Sequence, residues 1–108
     1  MKTYLGRRQG FAATVTVDGR RLNPRFDLWN HSPTGFEWGY GGSGPAQLAL
    51  AILAAHCRDD ERALNFYHRF KWAVVAGLPY SGWTLTSDEI ELALQQLQEQ
   101  EAVAGGQT

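Results

Sequence analysis

The chain has 108 residues, 44% of them hydrophobic and 19% charged, with a formal net charge of −1. That length fits a single domain spanning 1–108, and the composition excludes a disordered chain. The near-zero charge exerts no overall pull toward nucleic acid or an anionic membrane. The single cysteine, Cys57, excludes an intrachain disulfide and a multi-cysteine zinc site.

The opening Met1-Lys-Thr-Tyr-Leu-Gly-Arg-Arg8 lacks the apolar core of a signal peptide, so a cytoplasmic protein is expected. Ala13-Thr-Val-Thr-Val17 is β-branched and runs into Asp18-Gly19, a strong turn dipeptide. Arg20 to Leu22 then returns, which predicts a hairpin. Asn23-Pro24 ends it. Phe26 to Trp29 reads as a short strand and His31 to Gly35 as a loop. Phe36, Trp38 and Tyr40 alternate with Glu37, which predicts a strand with its aromatic face on the core.

The remainder reads as helix. Gly44-Pro45 opens the first one, with Ser43 or Gly44 as its cap. Residues 46–55 are apolar nearly all round and belong in the middle of the core. The longest strongly apolar run, Leu48 to Ala55, is far shorter than the ~20 residues needed to span a bilayer. Asp59 or Asp60 caps a second helix with Ala63, Phe66, Tyr67, Phe70 and Val74 on its apolar stripe, and Gly77 and Pro79 stop it. Trp72 is expected in the core beside Phe66 and Phe70. Thr86-Ser-Asp-Glu89 has the form of a capping box, followed by the stripe Ile90, Ala93, Leu94, Leu97. Residues 98–108 have little to bury and are expected to fray. Strands first and helices afterwards give an α+β fold, with a small antiparallel sheet from the N-terminal half packed against about three helices of the C-terminal half.

Gly39-Tyr-Gly-Gly-Ser-Gly-Pro45 holds the glycine spacing of a dinucleotide loop at Gly39, Gly41 and Gly44. The surroundings do not fit. No second strand with a ribose-binding acid follows the helix, and no lysine follows the last glycine as in a P-loop. The simpler use of such a loop is an anion site made of the backbone N–H groups and hydroxyls of Tyr40, Gly41, Gly42, Ser43 and Gly44, with charge from Arg7 or Arg25. The same glycines also serve a sharp turn into a buried helix.

Asp27, His31 and Glu37 are the one titratable set that could gather near this loop. His31-Ser32 is no dyad, since sequence neighbours rarely point at each other. Cys57 at a helix C-terminus meets the negative end of the dipole, which disfavours thiolate. No two histidines stand four apart, so neither a metal nor another cofactor is expected, and a non-enzyme is the expectation. Charge is uneven: residues 1–42 carry six cationic and three acidic side chains, and residues 43–108 carry four and eight. The pairs Arg7-Arg8 and Arg20-Arg21 therefore stand as candidate partner-binding residues for an acidic partner.

The stretch His31-Ser-Pro-Thr-Gly-Phe-Glu-Trp-Gly-Tyr-Gly-Gly-Ser-Gly-Pro-Ala-Gln-Leu-Ala-Leu-Ala-Ile-Leu53 resembles a family of short uncharacterised proteins of bacteria, phages and mobile elements. Tyr4-Leu-Gly-Arg-Arg8, Phe70-Lys71, Leu78-Pro79 and Trp83-Thr-Leu-Thr86 share in the resemblance. It implies no activity or cofactor. It implies a setting in which small proteins act by binding host machinery, including defence systems. The expected function is thus a non-enzymatic protein-binding protein, in its sharpest form an anti-CRISPR-like inhibitor of host defence, with a homodimer also open to it. A small anion- or nucleotide-binding module on the loop 39–45 is the alternative. A nucleic-acid binder through Arg7, Arg8, Arg20 and Arg21 is the second alternative, disfavoured by the neutral net charge.

Overall fold

A computed structural model describes residues 1–106 and gives the expected α+β fold. Among the described residues it has four strands and three α-helices. The strands are β1 (Thr3–Gln9), β2 (Ala12–Val17), β3 (Arg20–Arg21) and β4 (Gly82–Thr86). The helices are α1 (Ser43–Cys57), α2 (Asp60–Ala73) and α3 (Ser87–Gly106), with a 3-10 turn at Val75–Gly77. The antiparallel sheet runs β3-β2-β1-β4. Its fourth strand therefore comes from beyond α2 and lies beside β1, the first.

The predicted hairpin forms at Asp18-Gly19, both with positive φ, as the tight return requires. Tyr4, Gly6 and Arg8 of β1 alternate inward, opposite Val17, Val15 and Ala13 of β2 and beside Leu85 and Trp83 of β4. The Trp83 indole packs against Gly6, where a Cβ would overlap it, so only glycine fits at this position. The other sheet face, with Arg7, Gln9, Thr14 and Thr84, is exposed.

Helix α1 is the core helix. Residues Leu48 to Leu53 are fully buried. A single apolar cluster joins it to Tyr4, Val15, Trp38, Phe70, Trp83, Ile90 and Leu94. Gln47 is buried in the same helix and was not distinguished by the apolar pattern. Its carboxamide oxygen accepts from His31 N (2.7 Å) and Ser32 N (3.2 Å). Its nitrogen donates to Pro24 O (2.6 Å) and Trp29 O (3.0 Å). One side chain thus satisfies four backbone groups and fastens the irregular segment 23–32 to the helix.

Asp59 caps α2 by accepting from Arg62 N at 3.2 Å. The capping box at the start of α3 closes both ways: Glu89 N donates to Thr86 Oγ1 (3.3 Å), and Thr86 N donates to Glu89 Oε1 (3.0 Å).

Several expectations are corrected. Phe26 to Trp29 is a turn, because Arg25 takes φ 56° and Leu28 N donates back to Arg25 O. Phe36 to Tyr40 pairs with no strand; its tie to the rest of the backbone is Gly39 N to Val75 O at 3.0 Å. Trp38 is buried, whereas Tyr40 is exposed. The N-cap of α1 is Gly42, with no side-chain capping bond, in place of Ser43 or Gly44. Trp72 is 58% exposed, since Phe66 and Phe70 take the inward positions of α2. Helix α3 runs to Gly106. Glutamine, glutamate and alanine favour helix near its end, and Arg69 reaches Glu101 at 3.3 Å. Residues 107 and 108 of the stretch 98–108 lie outside the described residues.

Candidate binding surfaces

The candidate residues separate into a packed interior set and an open groove. Arg8 is interior. Its guanidinium holds Glu37 with two hydrogen bonds, Nη1 to Oε2 at 3.0 Å and Nη2 to Oε1 at 2.5 Å, and its Nε donates to Tyr80 O at 2.7 Å. It lies 4.4 Å from the Trp38 ring centre and 3.8 Å from that of Tyr80. The side chain is only 8% exposed, so Arg8 leaves the expected partner surface and becomes a structural clamp. The clamp holds the Glu37 carboxyl below the usual carboxylate range, chiefly through the Arg8 hydrogen bonds.

The clamp also shapes the glycine loop. A Cβ on Gly44 would stand 2.7 Å from Glu37 Cβ, and one on Gly42 would stand 2.6 Å from the Tyr40 ring. A Cβ on Gly41 would overlap the Trp72 indole. Of the glycines from 39 to 44, only Gly39 has positive φ. Of the other three, Gly44 faces Glu37 Cβ and backbone N, whereas Gly41 and Gly42 face only the exposed rings of Trp72 and Tyr40. The helix start therefore lies against the Glu37 side chain, and Ser43 and Tyr40 are exposed at its rim.

The titratable set Asp27, His31 and Glu37 does not share a partner. Asp27 pairs with Arg25 at 3.0 Å, Glu37 with Arg8, and His31 stacks on Trp29 and meets Tyr67 at a tilt. His56 bonds Glu91 at 2.7 Å. Cys57 is half-buried, and burial raises its thiol pKa. Among the described residues, no group of three His, Cys, Asp or Glu is placed to hold a metal ion. No helix there is long and apolar enough to cross a membrane.

The open groove runs along β3. It encloses about 670 Å³ and is lined by Lys2, Asp18, Arg20, Arg21 and Arg25 around an apolar floor that includes Val17, Leu22, Ala51 and Ala55. Lys2 Nζ donates to Ala55 O at 3.3 Å, which fixes that ammonium at the floor. Arg25 is held by Asp27 and by Asp60 (2.9 Å). Arg20 and Arg21 have no acidic partner among the described residues and are exposed on the two-residue edge strand. Arg7 lies elsewhere, on the exposed sheet face in a shallow dish with Leu5, Gln9 and Thr14. The structure brings Lys2 and Arg25 to the same groove as Arg20 and Arg21, an association that depends on the turn at Arg25 and the pairing of β1 and is not visible in the sequence.

A protein-family model described as a family of unknown function (DUF6166) matches residues 4–96. The chain belongs to this family. The matched span of DUF6166 includes the Arg8–Glu37 clamp, the glycine loop and most of the β3 groove, and ends inside α3. No curated protein and no solved structure matches the chain.

Proposed function

We propose that this protein is a non-enzymatic binding module that docks an extended acidic segment of a partner protein in the groove along β3. The observation that carries this reading is the pair Arg20 and Arg21, exposed on an edge strand beside an open groove and without acidic partners among the described residues. An edge strand offers unpaired backbone groups to an added strand. Cations on its rim draw carboxylates toward it and set the on-rate and its salt dependence. The apolar floor of Val17, Leu22 and Ala55 accepts alternate side chains of the same segment. The mobile-element resemblance directs the search for the partner to host machinery, defence components included.

The test is fluorescence anisotropy with a labelled Asp/Glu-rich peptide and a single-stranded oligonucleotide of equal charge. The protein binds the peptide, and the double variant Arg20→Glu/Arg21→Glu loses that binding while keeping its melting temperature. Preference for the oligonucleotide, or peptide binding unchanged in the double variant, contradicts the proposal.

A further inference from the structure

The open edge of the sheet extends past β3. Asp18 N donates to Thr3 O at 2.9 Å, one step beyond the Tyr4–Val17 pair. Hydrogen bonding alternates along an antiparallel pair. Thr16, Thr14 and Ala12 therefore bond to β1, and Val17, Val15 and Ala13 turn their N–H and C=O to the opposite side. On that side Val17 stands opposite Arg20, and Val15 O accepts from Leu22 N at 3.0 Å. The chain then leaves the sheet at Asn23-Pro24, and the Pro24 carbonyl is taken by Gln47. Ala13 is left with its N–H and C=O on an open edge, without a backbone partner among the described residues.

A second recess lies beside this bare stretch. It encloses about 340 Å³, and its walls include Ala13, Val15, Leu22, Pro24 and Phe36. Arg21, Leu22 and Asn23 line both this recess and the larger β3 groove, so the two hollows share a wall. Their chemistry differs. The groove is ringed by Lys2, Arg20, Arg21 and Arg25, whereas the recess has Arg21 as its one charged side chain among the described residues.

We propose that the acidic segment docked in the β3 groove continues into this recess and seats an aromatic side chain there. The inference rests on the docking proposed above and adds a sequence requirement to it. A residue paired with the N–H and C=O of Ala13 presents its side chain on the same sheet face as Ala13, which is the face of the recess. The groove lies at the Val17 end of β2 and the recess at the Ala13 end. An antiparallel segment thus crosses the arginines first, and its acids precede its aromatic residue. The shared wall, Arg21 to Asn23, spans roughly 10 Å at the ~3.3 Å rise of a strand, which puts about three residues between acids and ring. Phe36 offers that ring an aromatic neighbour, and an aromatic anchor in a pocket is the usual centre of such an interface.

The experiment is fluorescence anisotropy on the full chain with three labelled peptides of equal charge. One carries an Asp/Glu run followed three residues later by Phe, one has Ala in place of that Phe, and one has the Phe before the acids. The forward Phe peptide binds about tenfold tighter than the Ala peptide and about fivefold tighter than the reversed one. Arg20→Glu/Arg21→Glu weakens all three. Ala13→Leu, which fills the recess, brings the Phe and Ala peptides to within about twofold of each other. Phe36→Leu, a milder change of the same wall, narrows their gap to about threefold, and melting curves confirm that both variants fold. Failure of every peptide to bind overturns the docking in the groove and this inference with it. Arginine-dependent binding with a Phe gain under about twofold, or a gain unchanged in Ala13→Leu and Phe36→Leu, leaves the groove reading standing and overturns the aromatic recess. Equal affinity for the reversed peptide overturns the assigned direction. A free protein that sediments as a dimer and is dissociated by Phe11→Ala, the fully exposed ring two residues from Ala13, also overturns the proposal, because a second copy then fills the recess.

Discussion

Arg8 and Glu37 meet in a two-pronged ion pair that ties the first strand to the loop leading into α1. The pair joins residues 29 apart in sequence, and the Arg8 side chain is almost wholly enclosed by Trp38, Tyr80 and the carboxylate itself. Its consequence is that the strand, the glycine loop and the α2–β4 connection are positioned together. Replacing Arg8 by methionine keeps much of the stem volume but leaves Glu37 and Tyr80 O without their donor. A loss of about 2–3 kcal/mol is expected in urea denaturation, since each hydrogen bond to a charged group is worth roughly 1.5–3. A loss under about 0.5 would show the clamp to be incidental.

The same pair makes stability depend on pH. The folded pKa of Glu37 is depressed, so its contribution is fully present above the unfolded value of about 4.3 and is lost as pH falls through the lower folded value. The stability gap between wild type and Arg8→Met therefore narrows below about pH 4. A gap that stays constant down to pH 2 would contradict this assignment.

Gln47→Leu fills the same space but strands four backbone groups, two donors and two acceptors. Each unsatisfied buried group costs roughly 1–3 kcal/mol, offset where the loop can reach water. A destabilisation of about 3 kcal/mol or more is expected. Amide exchange at His31 and Ser32 accelerates more than exchange in α3. Uniform acceleration throughout the chain would mean the loop is not specifically anchored by Gln47.

Glycines 41 and 44 are expected to differ. A Cβ at Gly44 meets Glu37 Cβ and backbone N, which the Arg8 clamp holds still, so Gly44→Ala costs about 1–3 kcal/mol. A Cβ at Gly41 meets only the tip of Trp72, an exposed ring that can turn aside, so Gly41→Ala costs less than about 1 kcal/mol. Thermal melts of the two variants decide the order.

Much of the architecture was legible in local chemistry. The Asp18-Gly19 hairpin, the Asp59 cap and the Thr86–Glu89 capping box are all made by residues within a few positions of each other. Strand β1 was not legible, because its inward positions are Tyr4, Gly6 and Arg8. Glycine is there for Trp83 and arginine for Glu37, partners 77 and 29 residues away, so the apolar alternation that marks a strand is missing. Phe36-Glu-Trp-Gly-Tyr40 has that alternation and forms no strand. Trp38 is drawn into the core by its indole N–H, which donates to Pro79 O at 2.9 Å. The groove was half legible: the arginine pair stands out in sequence, but Lys2 and Arg25 join it only through folding.

The most direct measurement of the binding surface is a two-dimensional amide NMR titration with an unlabelled Asp/Glu-rich peptide at low salt. Shift changes that saturate at Arg20 to Asn23, Lys2, Ala51 and Ala55, and that shrink as salt is raised, are predicted. Changes confined to the exposed face around Arg7, or none at millimolar peptide, would contradict docking in the β3 groove.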